Sequence, residues 1–80
     1  MNDEQIIEKL SAIFKKNLEA CNFNPKLSME DVPEWDSLKH IQLIFEIENC
    51  FGIQINYEDV LDMTAISSIV RIIKKYINEI

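Results

Sequence analysis

Apolar side chains recur along this chain at three- and four-residue intervals, the spacing of helices buried on one side. From Asp3 to about Cys21, the residues Ile6, Ile7, Leu10, Ile13, Phe14 and Leu18 share a face, with Lys9, Lys15, Lys16 and Glu19 opposite. From Ala65 to Ile80 the stripe is Ile66, Ile69, Val70, Ile72, Ile73, Tyr76, Ile77 and Ile80, and Ser67, Ser68, Arg71, Lys74, Lys75 and Asn78 take the other side. Thr64 stands where an N-cap for that helix belongs. A middle helix is predicted from about Ser37 to Phe51, opened by Asp36 or Ser37 and stopped at Gly52, the residue type suited to a left-handed C-terminal cap. A short helix over Tyr57 to Leu61, capped by Asn56, carries Glu58 and Asp59 in its first turn, where the helix dipole favours acids. No stretch alternates at period two for long enough to make a strand; Ile53-Gln54-Ile55 is three residues. The pattern predicts an all-α fold, three main helices and one short one, in a single domain over 1–80.

The middle helix is more apolar than one buried face requires. Stepping at about 100° per residue, Leu43, Ile44, Ile47, Cys50 and Phe51 form one arc, the core stripe, and Leu38, Ile41 and Phe45 form a second, separated from the first by Glu48. The second group is either additional core or a docking surface for another protein. The connection before this helix, Asn22 to Asp36, is about fifteen residues, where helix–helix loops usually run about 2–8. Phe23, Leu27, Met29, Val32 and Trp35 give it enough apolar area to pack down, so it is expected to be ordered. It delivers the chain to Trp35-Asp36-Ser37-Leu38.

Composition narrows the function. A net charge of −6 over eighty residues makes nucleic acid a poor partner and disfavours an anionic membrane. No apolar run approaches the roughly 20 residues of a bilayer crossing. The acidic start Met1-Asn2-Asp3-Glu4 is unlike a secretory signal, so the cytoplasm is the expected location. Cys21 and Cys50 form no Cys-x-x-Cys pair and read as reduced, half-buried thiols. With His40 they make three Cys or His residues in all, short of the roughly four a structural zinc site wants, so no metal is expected. The charge is uneven: Glu30 to Asp62 carries −8 and the remainder +2. Such an acidic stretch can steer basic partners onto the middle helix.

Asp-Ser at a helix start is, taken alone, a capping sequence. Here it follows a long loop in an acidic chain of three long helices and a short one. The helix it opens runs Ser37-Leu38-Lys39-His40-Ile41-Gln42-Leu43-Ile44, then Glu46-Ile47-Glu48, and ends Phe51-Gly52-Ile53; the short acidic helix and Thr64-Ala65-Ile66-Ser67-Ser68-Ile69 come after. Over nearly its whole length the chain resembles the acyl carrier protein family, which includes peptidyl and aminoacyl carrier domains.

That resemblance implies a small four-helix bundle with a long ordered loop between helices 1 and 2. It implies a carrier that is not itself an enzyme. Ser37 would be esterified by a phosphopantetheinyl transferase with 4′-phosphopantetheine from coenzyme A. Asp36 would belong to the transferase recognition motif, with a possible magnesium contact in that complex. The thiol of the arm would carry acyl or aminoacyl groups as thioesters. Leu38, Ile41, Gln42, Phe45 and Glu48 would meet partners: an acid-activating ligase, and synthases or transferases with basic docking surfaces. A monomer is expected.

Where fatty-acid carriers place acids, this chain has Lys39 and Gln42, and its Trp-Asp-Ser-Leu form is similar to carriers of specialised pathways. Lys39 and His40 read as surface residues able to pair with the arm's phosphate. In the family, long acyl chains are sheltered at positions matching Ile44, Ile47, Val60, Leu61, Ile66 and Ile69, which any core would also contain. Two other readings stay open: an unmodified helical adaptor of the same fold, and a small catalyst using His40 with Ser37.

Overall fold

At each helix start a side chain or neighbouring backbone takes up some of the free amides. In the computed structural model, which describes residues 2–18 and 22–78, α1 (Asp3–Asn17) opens on a capping box. Asn2 Oδ1 accepts the Gln5 N–H at 2.9 Å, and Gln5 Oε1 accepts the Asn2 N–H at 3.0 Å. The helix stops at Asn17, short of the predicted end near Cys21, which lies outside the described residues. Asn17 donates from its side-chain amide back to the Ile13 carbonyl at 2.8 Å and to Glu46 on the next helix. A side chain bonded back to the i−4 carbonyl competes with continuation of the helix.

The loop that follows holds one 3-10 turn, Met29–Asp31, and leads to α2 (Ser37–Phe51), α3 (Tyr57–Asp62) and α4 (Ile66–Asn78). The middle helix has its predicted bounds. It ends at Gly52 in the left-handed region, φ 66° and ψ 39°, where a side chain would be strained. The amides of Gly52 and Ile53 both donate to the Glu48 carbonyl, closing the helix end.

Thr64 is not the cap of α4. The loop and the start of α4 form an isolated antiparallel bridge between Ser28 and Ala65, in which Met29 N–H donates to Thr64 O at 2.7 Å and Ile66 N–H to Leu27 O at 2.9 Å. This extended pairing moves the capping position to Ala65. Its carbonyl accepts the Ile69 N–H at 2.9 Å, while Ser68 Oγ donates to that same carbonyl at 2.9 Å and accepts the Ala65 N–H at 3.3 Å.

The core joins α1 (Ile6, Leu10, Ile13, Phe14), α2 (Leu43, Ile44, Ile47) and α4 (Ile66, Ile69, Val70, Ile72, Ile73). The loop adds Leu27, Val32 and Trp35, all buried, and packs Phe23 and Met29 against the same cluster. The loop thus packs down through its apolar residues, as expected. Cys50, read as a half-buried core residue, is exposed beside Asn49 and Glu46, in a shallow depression with Ala12 and Lys16 of α1. A thiol is small and apolar enough that periodicity alone could not place it outside. α1 packs mainly on α2, and the short α3 lies against α4. Among the described residues no helix is long and apolar enough to cross a membrane.

Candidate functional site

The N-terminal corner of α2 is built by the residues just before it. Trp35 N–H donates to Val32 O at 3.0 Å, turning the loop toward the helix. Asp36, in extended conformation, caps α2 by accepting the Lys39 N–H on Oδ1 at 2.9 Å, and its carbonyl accepts the His40 N–H at 2.8 Å. Ser37 is the first helical residue, and its side chain is exposed. Of the first four amides of α2, those of Lys39 and His40 are thus taken up by Asp36. Those of Ser37 and Leu38 stand at the positive end of the helix dipole, where a phosphate esterified to Ser37 Oγ would be favoured. A hydroxyl open to solvent at the positive end of this 15-residue helix needs no deep pocket to be reached.

Leu38, Ile41 and Phe45 are exposed, Leu38 by 68% and Phe45 by 61%, so the second apolar group of α2 is surface and not additional core. Gln42 is exposed beside them. Glu48 is half-buried at the far end of the helix, and its Oε2 accepts the Ile55 N–H at 2.8 Å, which fixes the turn into α3. Across from Ile41, α3 exposes Tyr57 and Leu61, which line a groove of about 260 Å³ with Met29, Ser37, His40, Ile41, Val60 and Thr64. Leu61, matched by resemblance to an interior position, is therefore a surface residue. The i, i+4 spacing of Tyr57 and Leu61, with Val60 turned inward, is the signal that would have placed them there.

His40 departs furthest from its reading as a surface residue. It is buried, and both ring nitrogens are bonded. Nδ1 accepts the Trp35 Nε1–H at 3.0 Å, and Nε2 lies 2.8 Å from the Val60 carbonyl. An indole N–H can only donate and a carbonyl can only accept, so Nδ1 is the acceptor and Nε2 the donor. Neither nitrogen is left for the phosphate or to activate the Ser37 hydroxyl, which removes the His40–Ser37 catalyst. Sequence reasoning missed this role because Trp35 and Val60 meet His40 only in the folded chain. Trp35 is itself buried, edge-on to Phe14 at 5.0 Å between ring centroids, so the corner is tied through His40 to α3 and through Trp35 to α1.

The other end of α3 is held by α4. Asn56 occupies the predicted capping position, but its side chain makes no cap bond. Tyr76 Oη does that work instead, accepting the Asn56 N–H at 2.9 Å and donating to Asp59 Oδ2 at 2.5 Å. The Tyr76 bond, and then Lys75 at 3.6 Å, hold the Asp59 carboxyl below its ordinary range. Desolvation, and then that carboxylate, push the Tyr76 phenol up. On the opposite side of α2, Lys16 at 2.6 Å and then Asn17 keep Glu46 below the usual carboxylate range. Among the described residues no three His, Cys, Asp or Glu side chains gather as a metal site would need.

No family model matches the chain. Among curated proteins it is 37% identical over 76 residues to an acyl carrier protein of Buchnera aphidicola subsp. Baizongia pistaciae (strain Bp), a match that covers 95% of this chain and 96% of that relative.

Proposed function

Because the chain belongs to the acyl carrier protein family, we propose that Ser37 is the attachment site of 4′-phosphopantetheine, and that the protein carries acyl or aminoacyl groups as thioesters for a specialised biosynthetic pathway. The observation that carries this reading is the exposed Ser37 hydroxyl on the first residue of α2, with the Ser37 and Leu38 amides beside it. When bound, the arm supplies a thiol on a long flexible tether, and the chemistry on the cargo belongs to partner enzymes. The chain's own part is to present the tether and be recognised, so it is a carrier and not an enzyme.

Asp36 fixes the corner through its two capping bonds and contributes to recognition by the phosphopantetheinyl transferase, where it can meet the magnesium that accompanies coenzyme A. Leu38, Ile41, Gln42 and Phe45, with Glu48 at the far end, form the face met by that transferase, by an acid-activating ligase and by downstream synthases or transferases. The exposed acids Asp36, at the cap of α2, and Glu58 and Asp62, on α3, favour partners with basic docking surfaces. Lys39 and Gln42, which replace acids found in fatty-acid carriers, support a pathway other than the main fatty-acid synthase. The protein works in the cytoplasm, as a monomer.

The test is to incubate the purified apo chain with coenzyme A, magnesium and a broad-range phosphopantetheinyl transferase and weigh it intact. The expected result is a gain of about 340 Da, one phosphopantetheine arm, absent from Ser37→Ala. No gain, or a gain that persists in Ser37→Ala, overturns the assignment. Ser37 is exposed and its side chain is not the cap, so Ser37→Ala is expected to keep its stability within about 0.5 kcal/mol.

A further inference from the structure

The groove between α2 and α3 starts at Ser37 and ends on a polar floor. His40 and Val60 line it together, and they are bonded to each other, His40 Nε2–H to Val60 O at 2.8 Å. Ile47, Met63 and Ile66 of the core are buried with no exposure at all. The other face of the imidazole is pinned by Trp35, whose indole N–H has Nδ1 as its acceptor at 3.0 Å and whose ring is wedged against Phe14. Trp35 is 2% exposed and His40 8%. His40 stands on the wall of this groove, so a chain that enters the core past it from Ser37 displaces the imidazole. That strips partners from an indole N–H, a backbone carbonyl and both ring nitrogens in a place water barely reaches. Buried polar groups left without partners are among the costliest losses a fold can take.

We propose that His40 is a latch on the α2–α3 seam, a specificity-determining residue that keeps the group tethered at Ser37 out of the core. This inference rests on the carrier reading of Ser37 and narrows its cargo. A chain that cannot shelter a long aliphatic group gives it no refuge from water, so the fitting cargo is a short or polar acid, held outside the bundle where partner enzymes meet it. The latch is two hydrogen bonds of one imidazole, an N–H donated to a carbonyl and a lone pair offered to an indole.

The test loads the holo chain with acetyl and with octanoyl thioesters and follows their cleavage by hydroxylamine, against the same thioesters of free pantetheine. In the wild-type chain the octanoyl thioester is expected to be cleaved within about twofold of its free counterpart, and protection of about tenfold or more would overturn the proposal. Trp35→Phe, which keeps a ring but removes the indole donor, and His40→Val, which removes the bonds, are expected to raise octanoyl protection about fivefold or more while leaving acetyl unchanged. A folded variant that shows no such gain would overturn the role of His40.

The methyl signals of Ile44, Ile47 and Ile66 in the wild-type chain serve as the second readout. They are expected not to move between acetyl and octanoyl forms, and movement of all three would contradict the latch whether or not the variants fold. A chain that gains no arm fails the Ser37 assignment instead. The latch is then judged on Ser37→Cys, with Cys21→Ser and Cys50→Ser, carrying an octyl group by disulfide from octyl methanethiosulfonate. Unmoved methyls support the latch there, and moved ones overturn it.

Discussion

α3 and α4 lie side by side and are held by different forces. α4 turns Ile66, Ile69, Val70, Ile72 and Ile73 into the core, whereas α3 buries Val60 alone and leaves Tyr57 and Leu61 in solvent. Six residues do not sustain a helix by themselves, because the first turn costs more than so few bonds return. α3 is therefore hung from polar bonds at both ends, Tyr76 at Asn56 and Asp59, and His40 at Val60. A frame packed through many apolar contacts fails as a whole, while an element on a few hydrogen bonds can loosen alone. α3 also borders the groove at Ser37, where the His40–Val60 bond holds it against α2.

The largest expected effect is on the frame. Phe14, with no exposure and ring contacts to both Phe23 and Trp35, joins α1 to the loop. Phe14→Ala should cost about 3–5 kcal/mol by denaturant titration, and amide exchange should rise in every helix. His40→Ala should cost less, about 1–3 kcal/mol, with exchange rising first in α3 and around Trp35. Equal loosening of α1 and α4 in that variant would erase the distinction between frame and hung element. Tyr76→Phe should be milder still, its faster exchange confined to the amides of Asn56 to Asp59.

The smallest effect is the pH dependence, in which Glu46 reports the α1–α2 contact while Asp59 and Tyr76 report α3. Glu46 and Asp59 are held below their ordinary values, so their contributions are complete above the unfolded carboxylate range and lost as pH falls through the lower folded values. The Tyr76 phenol is raised, so its contribution is complete below the ordinary tyrosine range and lost as pH rises through the higher folded value. Glu46→Gln should flatten part of the acid limb at the α1–α2 contact. Tyr76→Phe should flatten the alkaline limb, seen only in α3. An alkaline limb unchanged in Tyr76→Phe would contradict the assignment.

What could be read ahead of the structure follows the same division. The stripes of Ile6, Leu10 and Phe14 and of Ile66, Ile69 and Ile73 announced two faces and hence the bundle, because burial repeats with the helix turn. Gly52 and Asp36 marked the ends of α2 because capping is local chemistry. Ser37 stood out through its neighbours in sequence. His40 did not, since its partners are Trp35, five residues back in the loop, and Val60, twenty residues on. Thr64 gave way to Ala65 for the same reason: a long-range bridge to Ser28 outweighed a local cap preference. Periodicity could show that Leu38, Ile41 and Phe45 form a second face but not that α1 and α4 leave it uncovered.

The central claim is that Ser37 carries a tether in the living cell, and intact-mass analysis of the protein isolated from its own host tests it most directly. The account predicts one phosphopantetheine of added mass, mapped by fragmentation to the peptide holding Trp35-Asp36-Ser37-Leu38. A protein that is found bare under conditions in which its pathway is running would contradict it and leave a helical adaptor that docks through Leu38, Ile41 and Phe45.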